Sequence, residues 1–232
     1  MTKRTLLVLC VALTGCLAAH LALADAEERT VSFAQGAWDP AEWTPLRLPL
    51  HPEVQTFEQR PDSLGTNSFT AEQVKEHLDN VLLMTDSGTD EGEFEVAFRI
   101  GPEKGTAPGV FLSPTWSGDA LETGIAVFVA DYTMAVWLVS TNPETRATEY
   151  EHLVRLARWQ DPSVEHVLRC RYSKARRMVA LQVDDSDVVI LRFSEHEINS
   201  RIGIWGCHGT CDFYRLTMRP GGTLPWSGAP PQ

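Results

Sequence analysis

The chain has 232 residues, with 20 Lys or Arg against 31 Asp or Glu and a net charge of −11 at neutral pH. An acidic surface repels phosphate backbones, so this balance excludes nucleic acid as a partner. The length suits one larger sandwich domain, and a hydrophobic fraction of 43% can fill its core.

The amino terminus reads as an export signal: Lys3 and Arg4 precede an apolar run from Leu6 to Ala24. Two cleavage readings stand side by side. Ala22-Leu23-Ala24 before Asp25 fits ordinary signal peptidase, whereas Leu13-Thr14-Gly15-Cys16 resembles a bacterial lipobox with Cys16 lipidated. The first is preferred, because Leu17 to Ala24 stays apolar where a lipoprotein carries a polar tether. An uncleaved anchor would have to span a bilayer with a run barely long enough. The expected domains are a signal peptide over 1–24, one sandwich over 25–219 and a loose Pro- and Gly-rich tail over 220–232. Removing 1–24 leaves 208 residues and shifts the net charge to −13. The expected location is secreted or in the periplasm and cell envelope, with membrane contact only through Cys16.

In chain order, residues 30–67 read as a wrapping segment with one strand near Val31 to Phe33. Thr70 and Gln73 match a capping box, and Val74, Leu78, Val81 and Leu82 recur at helical spacing. One short helix is therefore expected, handing over to a strand at Val81 to Thr85. From there a period of two dominates, the mark of half-buried strands. Phe94, Val96, Phe98 and Ile100 alternate with Glu95, Ala97 and Arg99, Leu168, Cys170 and Tyr172 with Arg169 and Arg171, and Val179, Leu181 and Val183 with Ala180 and Gln182. Ile125 to Val129 and Met134 to Val139 are apolar throughout, which predicts strands near the centre of the sandwich or buried on both faces. Turn residues such as Gly101-Pro102, Asp131-Tyr132, Asn142-Pro143 and Asp184-Asp185 separate the runs. From Met178 onward the spacing predicts an antiparallel meander. The fold class is all-β: a two-sheet antiparallel sandwich.

Several of these strands, in their order, resemble the concanavalin A-like lectin/glucanase superfamily over Gly92 to Arg219, in its laminin-G-like and bacterial keto-disaccharide-hydrolase-like branches. Phe94 to Phe98 resembles the framework strand, and Trp159 to Cys170 the run into a face-forming strand. Met178 to Val183 with Asp184-Asp185 and Val188 is similar to the strand, Asp turn and strand; Arg201 to Gly206 and Phe213 to Met218 resemble the closing pair. The resemblance implies a jelly roll and glycan as the partner class. It leaves three functions open: a non-catalytic glycan-recognition or cell-surface module, a carbohydrate-active hydrolase or lyase, and a structural or protein-interaction domain. Glucanases of this fold carry a Glu-x-Asp-x-x-Glu run, which sets the retaining carboxylates on one face. It is absent here. Glu93-x-Glu95 comes nearest and reads as ordinary charge at a strand start.

Sugars stack on exposed aromatic rings flanked by carboxylates and amides. Trp116 between Pro114 and Gly118, Asp119, Asp131, Tyr132 and Asn142 are the expected ligand-binding residues, while Trp137 reads as core. Cys207 and Cys211 are expected to form a disulfide around His208, with Cys170 a buried thiol; Cys170 bridged to either of them, or all three reduced, are the alternatives. A zinc site at Cys207-His208-x-x-Cys211 lacks a second ligand pair. Glu149-Tyr150-Glu151-His152 and Ser194-Glu195-His196-Glu197 read as solvated loops. No cofactor is expected; calcium at Asp184, Asp185 and Asp187 is the alternative to a plain turn.

Overall fold

The alternating runs are strands. The computed structural model describes residues 27–45, 57–66, 79–103, 105–117, 120–145, 147–157, 160–207 and 209–226. In chain order these form β1 (Arg29–Ser32), β2 (Thr44–Pro45), β3 (Glu58–Gln59), β4 (Leu64–Gly65), β5 (Asp79–Asp86), β6 (Glu91–Ile100), β7 (Gly109–Ser117) and β8 (Ala120–Ala130). There follow β9 (Thr133–Thr141), β10 (Thr148–Ala157), β11 (Glu165–Ser173), β12 (Met178–Val183), β13 (Val189–Arg192), β14 (Arg201–Cys207) and β15 (Cys211–Pro220). They pair into two antiparallel sheets. The first runs β13-β12-β11-β6-β15-β4-β3 with β1 beside β15, the second β10-β9-β8-β7-β14-β5-β2. The expected all-β two-sheet sandwich is the fold observed.

Period two puts every second side chain between the sheets. Phe94, Val96, Phe98 and Ile100 of β6 meet Leu168, Cys170 and Tyr172 of β11 and Val110, Ile125, Val127, Val136, Ile202 and Ile204 of the second sheet in one buried cluster. β8 and β9 are apolar on both faces, as expected, because the second sheet carries another cluster on its outer side: Phe111, Leu121, Ala126, Val139 and Trp205. Phe33, Trp38 and Trp43 pack edge to face, and Trp38 Nε1 donates to Gln59 Oε1 at 2.8 Å.

The expected strand at Val81 to Thr85 is observed as part of β5, paired with β14, while Thr70 to Leu78 of the expected helix lies outside the described residues. Among the described residues the helical turn is the 3-10 segment Pro40–Glu42, capped by Asp39 Oδ1 accepting from Ala41 N at 2.9 Å.

The meander holds only for β12 and β13. β14 leaves for the second sheet, between β7 and β5, and β15 returns to the first beside β6. Each sheet thereby gains a strand flanked on both sides, with Ile202 and Ile204 filling the core from one sheet and Phe213 and Leu216 from the other.

The start of the tail is pinned rather than loose. Glu93, 1% exposed, accepts from Thr223 N at 2.6 Å, Leu224 N at 2.9 Å and Thr223 Oγ1 at 3.2 Å. Trp226 Nε1 donates to Glu91 Oε1 at 2.9 Å, and the Arg171 guanidinium lies 4.6 Å from the Trp226 ring centre. Glu93 is thus no edge charge: β6 is central in its sheet, and the carboxylate is buried under the strap it holds.

Candidate functional site

The outer cluster of the second sheet is the apolar surface opposite the main core, and register decides who sits there. Trp137 pairs with Ala126 on one side and His152 on the other, while Phe111 pairs with Ala126 and Val139 with Tyr150. Directly paired residues share a face. Trp137 is therefore not an interior residue, as its apolar strand suggested, but packs on the outer cluster together with Trp116, Phe128 and Ala107. The centre is closed: Trp205, Phe111, Ala126 and Val139 are fully buried. Its margin is open. Trp116, Phe128 and Trp137 are half-buried, His152 is exposed with its ring centre 4.5 Å from that of Trp137, and Tyr150 is 42% exposed.

A polar knot sets the angle of Trp116. Ser113 takes φ 51, in the left-handed region that L side chains avoid, where the β7–β8 register shifts twice. The strain is held by Ser113 Oγ donating to the Asn199 carbonyl at 3.0 Å and by Asn199 Nδ2 donating to the Pro114 carbonyl at 2.7 Å. Beside it Thr115 Oγ1 lies 2.8 Å from Thr123 Oγ1, which lies 2.8 Å from His196 Nδ1. His196 is 6% exposed, not solvated as its acidic neighbours suggested, while Glu195 and Glu197 are exposed. Burial holds its basicity below that of a free imidazole, against the pull of the Ser113 carbonyl and Glu197.

The expected ligand residues divide between two ends of the sandwich. Trp116 and Asn142 lie at one end of the second sheet; Asp119 lies outside the described residues. Asp131 and Tyr132 form the β8–β9 turn at the other end, about 30 Å away at strand spacing. One sugar cannot touch both groups. Asn142 is moreover engaged in its own turn, Oδ1 accepting from Glu144 N at 2.9 Å and Thr145 N at 3.0 Å, and Nδ2 donating to Glu149 Oε1 at 2.7 Å. Tyr132 is 63% exposed, and the Asp131 carbonyl accepts from Gln160 N at 2.7 Å.

The Cys207–Cys211 pairing is not formed. Cys211 is a free thiol turned into the core, 3.3 Å from Thr66 Oγ1, and burial pushes it up to about 12. Cys170 is likewise free, its thiol raised by burial and by Glu93. His208 lies outside the described residues. Asp184 binds His166 Nδ1 at 2.8 Å with one oxygen and accepts Val167 N–H at 2.9 Å with the other, so both oxygens tie the β12–β13 turn to β11. Among the described residues no group of three or more His, Cys, Asp or Glu side chains is placed to hold a metal. The residues that sequence reasoning missed are His152, Glu93 and the outward Trp137.

No family model matches the chain, and no curated protein does. Solved structures do. Carbohydrate binding module CBM66 from Bacillus subtilis is 13% identical with a TM-score of 0.52, the match covering 77% of this chain and 95% of that one. The carbohydrate recognition domain of Emp47p is 13% identical with a TM-score of 0.52, covering 86% and 97%. Xylan beta-1,4-xylosidase from Bacillus halodurans C-125 is 12% identical with a TM-score of 0.51, covering 82% of this chain but only 38% of that one. At such identities the likeness is one of fold. The chain has the concanavalin A-like sandwich that the strand order implied.

Proposed function

We propose that this chain is an exported, non-catalytic glycan-recognition module that reads its ligand along the open margin of the outer cluster. The observation that carries the reading is the row of partly exposed rings, Trp116, Phe128 and Trp137 with His152 and Tyr150, on one face of a lectin-like sandwich. Aromatic faces bind sugar C–H surfaces, and rigid rings lose little entropy on binding. Two of the similar structures carry sugar-binding names, which supports the class of ligand without supplying its identity.

The non-catalytic part rests on the carboxylates. Glu93 and Glu95 are the nearest approach to a catalytic pair, yet Glu93 is buried under the tail and Glu95 accepts from Arg219 Nη1 at 2.9 Å. Neither is free to act on a glycosidic bond.

A glycan array with the purified exported chain tests the reading. At least one glycan class binds, and Trp137→Ala with Trp116→Ala lowers its affinity about tenfold or more. Silence across the array, or unchanged binding by the double variant, contradicts it. Release of reducing sugar from the bound class contradicts the non-catalytic part alone.

A further inference from the structure

The outer face of the first sheet is polar where that of the second is apolar. β11 lies between β12 and β6, and because Leu168 and Cys170 belong to the core, Arg169 between them stands on the outer face. Its directly paired neighbours are Gln182 of β12 and Glu95 of β6. Neither serves it. Gln182 Nε2 donates to the Ser186 carbonyl at 2.7 Å, and Glu95 Oε2 accepts from Arg219 Nη1 at 2.9 Å. Three other arginines of this face each hold a carboxylate: Arg171 reaches Glu91 at 2.5 Å, Arg215 reaches Glu165 at 2.8 Å and Arg219 reaches Glu28 at 2.7 Å. Among the described residues no hydrogen bond or ion pair reaches Arg169, although it is half-buried and its Nε is enclosed.

We propose that Arg169 is an anion site on the outer face of the first sheet, taking the carboxylate of a ligand end-on through Nη1 and Nη2. A guanidinium drawn partly out of water without an acceptor costs stability, and an arriving acceptor offsets a cost the fold already carries. With Nε enclosed, Nη1 and Nη2 are the accessible donors. They form a planar fork that matches the two oxygens of a carboxylate.

The surroundings select the kind of anion. Glu95 stands directly opposite Arg169 and the chain carries a net charge of −11, so a doubly charged phosphate meets more repulsion here than a singly charged carboxylate. The diagonal neighbours on this face are Ala97, beside Glu95's row, and Ala180, opposite Arg171; neither has a side chain that could occupy the fork. Along β11 the next outward residue is Arg171, about 7 Å away at strand spacing, and the half-buried Trp226 ring lies 4.6 Å from its guanidinium. A carboxylate carried on a sugar ring and one on a small organic acid both offer the group that Arg169 needs, and the ring has Trp226 beside it. The site is on the opposite side of the sandwich from Trp116 and Trp137, so it stands or falls separately from the glycan reading.

Nitrogen-15 spectra of the arginine Nε–H groups test the site in the purified chain, the Arg169 signal being the one lost in Arg169→Lys. Titration with acetate and with glucuronate is expected to shift that signal, and titration with glucose to leave it in place. Tighter binding of glucuronate than of acetate identifies an acidic sugar as the source of the carboxylate, and equal binding a free organic acid. By calorimetry Arg169→Lys, which keeps the charge and loses the fork, weakens glucuronate binding about tenfold, and added salt weakens it further. Circular dichroism confirms that the variant keeps its strands. An Arg169 signal unmoved by either acid, or moved as far by glucose as by glucuronate, overturns the proposal. So does inorganic phosphate binding tighter than both acids, or a lysine variant that binds glucuronate as well as the parent.

Discussion

Cys211 and His196 are residues whose chemistry is set by where the chain buries them. A thiol pushed up to about 12 inside the core holds almost no thiolate at neutral pH, and the thiolate is the nucleophile. Brief iodoacetamide treatment of the native protein followed by peptide mapping therefore leaves Cys211 and Cys170 unmodified, while denaturation exposes both. Rapid labelling of Cys211 in the native state, or a Cys207–Cys211 cross-linked peptide, contradicts the packing. His196 acts through pH. Its folded form is held below the ordinary value of 6.5 by burial, so the unfolded chain takes up a proton first. Stability is full above 6.5, falls as pH drops from there and is lost once the folded ring protonates. His196→Gln removes that part of the decline in melting temperature; an identical slope in the variant contradicts it. The sequence around His196 is acidic and polar, and nothing local reveals that β7 and the segment before β14 close over it.

Among the elements, the strap at 220–226 shows what a sequence conceals. Alternation made β6, β11 and β12 legible, because each strand writes its own burial into every second residue. Glu93 has no such signal: the N–H groups it accepts lie 130 residues further on, in a segment whose Pro and Gly suggest looseness. Trp137 was legible in register but not in face, since an apolar strand with two buried sides does not say which side is the interior. Truncating the chain after Pro220 removes the backbone donors of Glu93 and the Trp226 contacts to Glu91 and Arg171, and opens the Glu93 carboxylate to water. Hydrogen bonds to a charged group contribute about 1.5–3 kcal/mol, enough to lower the melting temperature by several degrees. An unchanged melting temperature contradicts the strap. Glu91 adds a pH dependence. Burial opposes its charge, but the Trp226 indole and Arg171 outweigh that and hold the carboxyl below its ordinary value of 4.5. Its contribution is complete above 4.5 and is lost as pH falls through the lower folded value. Trp226 is therefore expected to become more accessible to acrylamide quenching in that acidic range, and Glu91→Gln to abolish this pH dependence.

For the molecule as a whole, the sandwich places two apolar layers on the second sheet, one shared with the first sheet and one directed away from it. The inner layer makes the fold. The outer one exceeds what a two-layer sandwich needs, and its margin of rings is the feature the glycan reading explains. Class, sheet number and most strands were legible in the sequence because they depend on local periodicity. The site was not, because it depends on which strands become neighbours: Trp116 and Trp137 are linked through a common cluster, whereas Tyr132 and Asn142, close in sequence to Trp137, sit at opposite ends of β9. Nitrogen-15 spectra resolve the tryptophan indole N–H signals one by one. Titration with a glycan selected on the array is expected to shift Trp116 and Trp137 while leaving Trp43, buried against Phe33 and Trp38, in place. Shifts confined to Trp43 or Trp226, with Trp116 and Trp137 unmoved at saturation, would contradict recognition at this face.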